Sequence, residues 1–333
     1  MKINFSAKTI GFSIAGIFMF LYIVGVYWSL DVEPIDVQHE ITIAAQADNV
    51  SPVIGYATTT VLIKVASSIL DKPGGYISND ALPPGVLLDN MPSWEFGVLE
   101  MVRDMALVIR KDFSRSQSQS LDNIHITKAQ PKFNIDNKSW AMPSAESEYR
   151  KAIESLYSYR DALVGISKTK NDTAQFYARA DNLTAYFDEV QKRLGGYSQR
   201  LSASVDKDKV NTDLAGDNMA KQSSFESSYT QISTSWWKID NVFYESRGAA
   251  WALLYFLKAI EIDFDSVLEN KNAKISLQQI IRELEASQKT LWSPMVLNGD
   301  GFGVLANHSL VMANYISRAN AALIDLNELL RKG

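Results

Sequence analysis

Residues 10–30 read IGFSIAGIFMFLYIVGVYWSL, 21 positions without a charged side chain. At about 1.5 Å of rise per residue such a helix is roughly 30 Å long, the thickness of a bilayer's hydrocarbon core. Tyr27 and Trp28 lie near its end, where amphipathic rings prefer the headgroup zone. Lys2 and Lys8 precede the run; Asp31, Glu33, Asp36, Glu40 and Asp48 follow it, and no Lys or Arg appears before Lys64. The positive-inside rule predicts residues 1–9 as a cytoplasmic tail, 10–30 as a transmembrane signal anchor in the lipid bilayer, and the remainder as exported. A cleaved signal peptide is the rival reading, but its apolar region usually spans about 7–15 residues and ends in small side chains. Val26-Tyr27-Trp28-Ser29-Leu30 is bulky there. Gly11, Ala15 and Gly16 would suit a helix–helix seam, although glycine is common in membrane spans.

Beyond the anchor the chain carries 31 basic and 38 acidic side chains, about −7 in all. An acidic domain without a basic run lacks the positive footprint that nucleic acid requires, so nucleic acid is excluded as a partner. There is no cysteine, hence no disulfide framework and no thiolate metal site. With 46% hydrophobic residues, a chain of this length has enough apolar surface to build its core without staples.

Hydrophobic patterning predicts a mainly α fold: a single transmembrane helix, then a helical-bundle-like exported domain over 57–333 with minor β or irregular segments. Residues 31–56 read as an acidic stalk, with a short strand suggested by the alternation of Val37, His39, Ile41 and Ile43. Ala57–Leu70 patterns as a helix, its β-branched content keeping a strand open. A helix over 92–116 should start with Pro92 at its first position and be largely buried, since it has two apolar rows. Residues 117–143 read as loop or a small hairpin. From 144 to 293 there is no proline, as expected of mostly helical backbone, where an interior proline costs about 3 kcal/mol. Helices are placed near 144–168, 174–203, 224–268, 276–292 and 304–331, with a Ser276/Gln279 capping box and a polar linker at 206–222. The long helix bears a stripe of Ile232, Trp236, Ile239, Phe243, Ala250, Leu254 and Leu257, so the others should pack around it.

Four segments carry a resemblance: GYISND at 75–80, PPGVLLDNMPSWEFGVLEMVRDMALVIRKDFSRSQSQS at 83–120, SAESEYRKA at 144–152 and SWWKIDNVFYESRGAAWALL at 235–254. Together they resemble a proteobacterial family of single-span inner-membrane proteins known only as a domain of unknown function. The resemblance implies a Gram-negative inner-membrane protein with a periplasmic domain, and it supplies no reaction, ligand or catalytic residue.

Several constellations invite a chemical reading. Glu245-Ser246 resembles the Glu-Ser pair of lytic transglycosylases, which makes Glu245 the one catalytic candidate, but the glycine-rich segment that follows in those enzymes is absent. Asn298-Gly299-Asp300-Gly301-Phe302-Gly303 has phosphate-loop spacing without a strand before it, and reads better as a turn between helices. His39, His125 and His308 are too scattered to specify a metal, so neither metal nor cofactor is expected. Lys258 and Glu261 fit an i,i+3 surface pair, or a polar contact for a partner helix. Of the six indoles beyond the anchor, most are expected in the core, with one of Trp236 and Trp237 exposed as a candidate partner anchor.

The sequence thus points to an envelope interaction or scaffold protein with a protein partner in the cell envelope. A periplasmic ligand-binding or sensory module acting through a second protein is the alternative. A peptidoglycan-acting hydrolase or lyase comes third, the balance leaning against an enzyme.

Overall fold

The computed structural model describes residues 7–115, 122–167, 172–205, 207–210, 229–232, 234–293, 295–299 and 304–332. Helix α1 (Ala7–Trp28) projects from the domain, with its side chains exposed along most of its length. It is long and apolar enough to cross a membrane.

The expected stalk is instead part of the fold. Helix α2 (Val37–Asp48) is capped by Asp36, whose side chain accepts the His39 N–H, and Val37, Ile41 and Ala45 are buried at i, i+4 and i+8. Its alternating apolar residues suggest a strand, but Ile43 faces solvent, and the burial has helical period. Helix α3 (Tyr56–Asp71) begins at Gly55, which has no capping side chain of its own. Asp263 supplies the cap from elsewhere in the chain, accepting from Gly55 N–H at 2.8 Å and from Thr58 N–H and hydroxyl at 2.7 Å. That long-range cap helps hold a β-branched segment as helix.

Helix α4 (Asn90–Val108) runs on through a π-helical turn at Ile109–Phe113; it begins two residues before the expected start, so Pro92 is its third residue and not its first, still within the first turn, where no N–H partner is needed. Residues expected to be loop hold α5 (Ile124–Phe133), started by Asn123 accepting from His125 and Ile126 N–H, with Pro131 tolerated in the last turn. Next come α6 (Ala145–Leu163), capped by Ser144, and α7 (Ala180–Ser202).

Strands β1 (Lys207–Val210) and β2 (Tyr229–Ile232) pair antiparallel, so the long helix starts later than 224. The rest of the 206–222 linker lies outside the described residues. Helices α8 (Ile239–Asp263), α9 (Asp265–Asn270), α10 (Lys274–Ser287) and α11 (His308–Lys332) complete the chain. Ser276 lies inside α10 and does not cap it.

Helix α8 is the hub, packed against α2, α3, α4, α7, α10 and α11. Its closest neighbour is α4, and glycines make that approach possible: a Cβ on Gly97 would run into the Glu245 carbonyl oxygen, and one on Gly248 into that of Trp94. Both glycines lie in the segments that carry the family resemblance.

Ion pairs and hydrogen bonds fix the helix directions. Arg193 of α7 meets Asp104 and Glu100, Tyr197 meets Glu100, and Ala203 past its end accepts from Thr234 N–H at 2.8 Å. Helix α7 therefore runs antiparallel to α4, and the start of α8 lies at the same end of the bundle as the start of α4. Asp188 binds Arg331 while Ser198 meets Ser317, so α11 is antiparallel to α7 and begins at that end too. Four connections reach it through the described residues 72–89, 134–144, 203–205 with 234–238, and 288–293 with 295–299 and 304–307. The opposite end carries Gly55, Asp263 and the described residues 114–115, 122–123, 164–167 and 172–179.

Candidate functional site

Helix α1 joins the bundle through its last turn. Gly25 lies 3.5 Å from the Pro84 Cβ and 3.7 Å from Leu88 Cδ2, measured from the position of a Cβ. Gly74, at φ +84, would place a Cβ 2.6 Å from Trp28 Cγ, so the indole rests on a glycine backbone that tolerates no side chain. One residue past Leu30, the Asp31 carboxylate accepts from Arg247 Nη2 at 3.3 Å.

The loop under Trp28 is held from inside. Lys72 Nζ and Glu95 Oε1 are 2.7 Å apart, both side chains at 0% exposure. Glu95 also accepts from the N–H groups of Ile77 and Ser78 at 2.9 Å and from the Ser78 hydroxyl at 2.5 Å, while Lys72 donates to the Gly75 carbonyl. Burial pushes Glu95 above the usual carboxylate range, opposed by the Lys72 ammonium and the Ser78 hydroxyl. A buried charge pair with nearly every lone pair and proton used fixes a loop in one geometry. Asn79 extends the clasp, donating to the Ser139 carbonyl and Glu146, and Tyr76 donates to the Asn137 carbonyl.

Arg247 stands behind the junction. Its guanidinium is almost fully buried and donates to the carbonyls of Lys289 and Gln288 as well as to Asp31. Beside it is a pocket of about 160 Å³ walled by Trp94, Trp251 and Tyr255, with Asp31 and Thr290 at its rim. The Trp94 and Trp251 rings meet edge to face at 5.1 Å. This combination of aromatic walls, one cation and one carboxylate was not legible in the sequence, because it joins residues from four separate segments. The only signal was Arg247, a charge standing at the edge of the most apolar stretch of the domain.

The residues singled out from sequence fall in different places. Both oxygens of Glu245 are held by the Arg200 guanidinium, at 2.6 and 2.5 Å, so the carboxylate is tied into the α7–α8 contact. Lys258 and Glu261 do not pair with each other: Lys258 binds Glu285 at 2.6 Å, and Glu261 accepts from Gln278 at 2.7 Å, so the helix they contact is α10 of the same chain. Trp236 and Trp237 form an edge-to-face pair at 4.8 Å, and both are exposed. They precede α8, more than 20 residues and roughly 30 Å from Lys258 and Glu261, so the four make no single surface. Only Trp94 and Trp251 of the six indoles are buried; Trp140, Trp236, Trp237 and Trp292 are 71–94% exposed, which corrects the expected core placement.

Asp300–Gly303 lie outside the described residues. Asn298 and Asn307 flank them as a bridged pair, and Gly299 N–H donates to the Ala306 carbonyl. His125 meets Asp172 at 2.7 Å; His308 Nδ1 accepts from Leu297 N–H at 2.9 Å, and burial lowers its pKa. Among the described residues no three of His, Asp and Glu are grouped to hold a metal ion.

With the Gly97–Gly248 contact and the clasp around Glu95 in view, residues 2–333 match one family throughout. The chain belongs to DUF2333, described as an uncharacterized protein conserved in bacteria. No curated protein and no solved structure matches it. DUF2333 membership assigns no activity to the chain.

Proposed function

We propose that the chain is a single-span inner-membrane protein with its N-terminus in the cytoplasm. Its helical bundle then stands in the periplasm and serves as an envelope interaction or scaffold protein. The observation that carries the reading is the integration of α1: Gly25, Trp28 and Asp31 each pack against or bind the bundle. A signal sequence cleaved near this point would strip the fold of those contacts, whereas a retained anchor keeps them. A helix docked through its last turn leaves little slack, so the bundle stands at a fixed height and orientation above the bilayer. That suits a protein whose task is to present a surface to a membrane-bound neighbour. In-cell crosslinking of the full-length protein followed by mass spectrometry tests this. Reproducible recovery of one envelope protein supports it, and recovery of self-crosslinks alone counts against it.

The pocket beside Arg247 favours a second reading, a periplasmic ligand-binding module that signals through another membrane protein. Its volume suits a small organic anion that takes the place of the half-exposed Asp31 carboxylate on the Arg247 guanidinium, with the indoles as walls. Thermal-shift screening of small anionic metabolites against wild type and Arg247→Lys checks it. A ligand that raises Tm only in wild type supports the reading, and a flat screen removes it. Glu245 gives the hydrolase reading no support of its own, since its carboxylate is occupied by Arg200.

A further inference from the structure

The four exposed tryptophans are not scattered. Trp140 lies in the connection that Asn79 and Tyr76 bind through Ser139 and Asn137. Trp236 and Trp237 open α8 beside the start of α4; there, burial and the nearby Asp89 carboxylate hold Asp240 above the usual carboxylate range. Trp292 is two residues past Thr290, which shares a pocket with Asp31. All four belong to the connections at the end of the bundle where α1 leaves it, and among the described residues the opposite end exposes no tryptophan. The same end presents Leu82 and Leu87, 76% and 73% exposed, on the loop whose Pro84 and Leu88 touch Gly25.

Gly25 is the decisive neighbour. It lies within the apolar span Ile10–Trp28, three residues before its end. Side chains level with Gly25 are level with the last turn inside the span, not with the solution above it.

We infer that Leu82, Leu87, Trp140, Trp236, Trp237 and Trp292 form an apolar collar that seats the periplasmic bundle in the interfacial zone of the outer leaflet around α1. This rests on the anchor reading above and adds a second, peripheral contact with the same membrane. Indoles are the side chains best suited to that zone, apolar in body with one N–H for the headgroup layer. Large apolar side chains gathered exposed at one end of a folded domain mark a surface that is covered in use. Continuity with α1 identifies the cover as lipid. The charges nearby are mixed and lean acidic, Lys138, Lys238 and Lys289 against Asp80, Asp89, Asp136 and Asp240, so insertion does not depend on anionic headgroups.

The chain has no cysteine, so single cysteines can be placed in the full-length protein and spin-labelled. Leu87→Cys, Trp237→Cys, Phe18→Cys in α1 and Ile275→Cys at the start of α10 all replace exposed residues. The labelled proteins are reconstituted in phosphatidylethanolamine and phosphatidylglycerol vesicles, and collision with oxygen is compared with collision with a water-soluble nickel chelate. The collar requires labels at 87 and 237 to favour oxygen, as the label at 18 does, at low and high salt alike, while the label at 275 favours nickel. If 18 favours oxygen but 87 and 237 favour nickel, the collar is wrong and the anchor stands. If 18 also favours nickel, the anchor reading fails and the collar with it.

Discussion

The Arg247 guanidinium, buried at the edge of the central helix, reaches the Asp31 carboxylate 216 positions earlier in the chain, at 3.3 Å. Asp31 is the first charged residue after the apolar run, and Arg247 the last before Gly248 at the α4–α8 contact. One bond thus connects the exit of α1 to the crossing at the centre of the bundle, and membrane attachment and core packing share a residue.

The buried pair beneath Trp28 should dominate local stability. Lys72→Met removes the counter-charge of a fully buried carboxyl, which must then stay unpaired or take up a proton, with a cost of about 3–5 kcal/mol expected for breaking such a pair. Lys72→Met combined with Glu95→Gln should recover much of that loss. Urea denaturation of the two variants in detergent checks both values, and a loss below about 1 kcal/mol for the single variant would show that the pair is not holding the loop.

The glycine contact should tolerate no methyl group. Gly97→Ala and Gly248→Ala each set a Cβ against backbone of the opposing helix, and overpacking of this kind costs about 1–3 kcal/mol or more. Gly196→Ala in α7 meets nothing within 4 Å and should gain up to about 1 kcal/mol from helix propensity. Thermal unfolding of the three variants separates the effects by sign.

Acidification should loosen the connection between α10 and α11. His308 accepts a backbone N–H through Nδ1, which only the neutral ring can do, and burial sets its folded pKa below the usual value of about 6.5. The unfolded chain then binds more protons between those two values, so this contribution is present above about pH 6.5 and is lost as pH falls through the folded pKa. Urea midpoints measured at neutral and acidic pH should fall more for wild type than for His308→Ala. Parallel falls would contradict the assignment.

If Glu245 serves packing, Glu245→Gln should weaken the pair with Arg200 by about 1 kcal/mol or less, Arg200 being nearly half exposed. Tm then drops slightly, and digestion of purified peptidoglycan does not differ between the two proteins. Muralytic activity lost in the variant would revive the hydrolase reading.

Long, strongly periodic elements were legible in the sequence. The apolar run became α1, and the proline-free stretch holds α6 to α10 with α8 at the centre, although the β1–β2 pair occupies part of it and α8 starts only at Ile239. Shorter elements were hidden by competing patterns: α2 by an apolar alternation in which Ile43 faces out, and α5 by Pro131, which its last turn accommodates. The exposed indoles were misread because aromatic content alone does not distinguish a core from an interface. Lys258 and Glu261 were misread because helical spacing reveals which residues are neighbours on one helix, not that α10 holds a partner for each.

The most direct test of the account is its topology in the living cell, using a membrane-impermeant maleimide on Lys2→Cys and Ile275→Cys variants of the full-length protein. The account requires Ile275→Cys to be labelled from the periplasm in intact spheroplasts, and Lys2→Cys to be labelled only after lysis, on a chain that keeps its full mass of 37.2 kDa. Labelling of Lys2→Cys before lysis, or a mature protein that has lost it, would contradict the retained anchor on which the rest of the account stands.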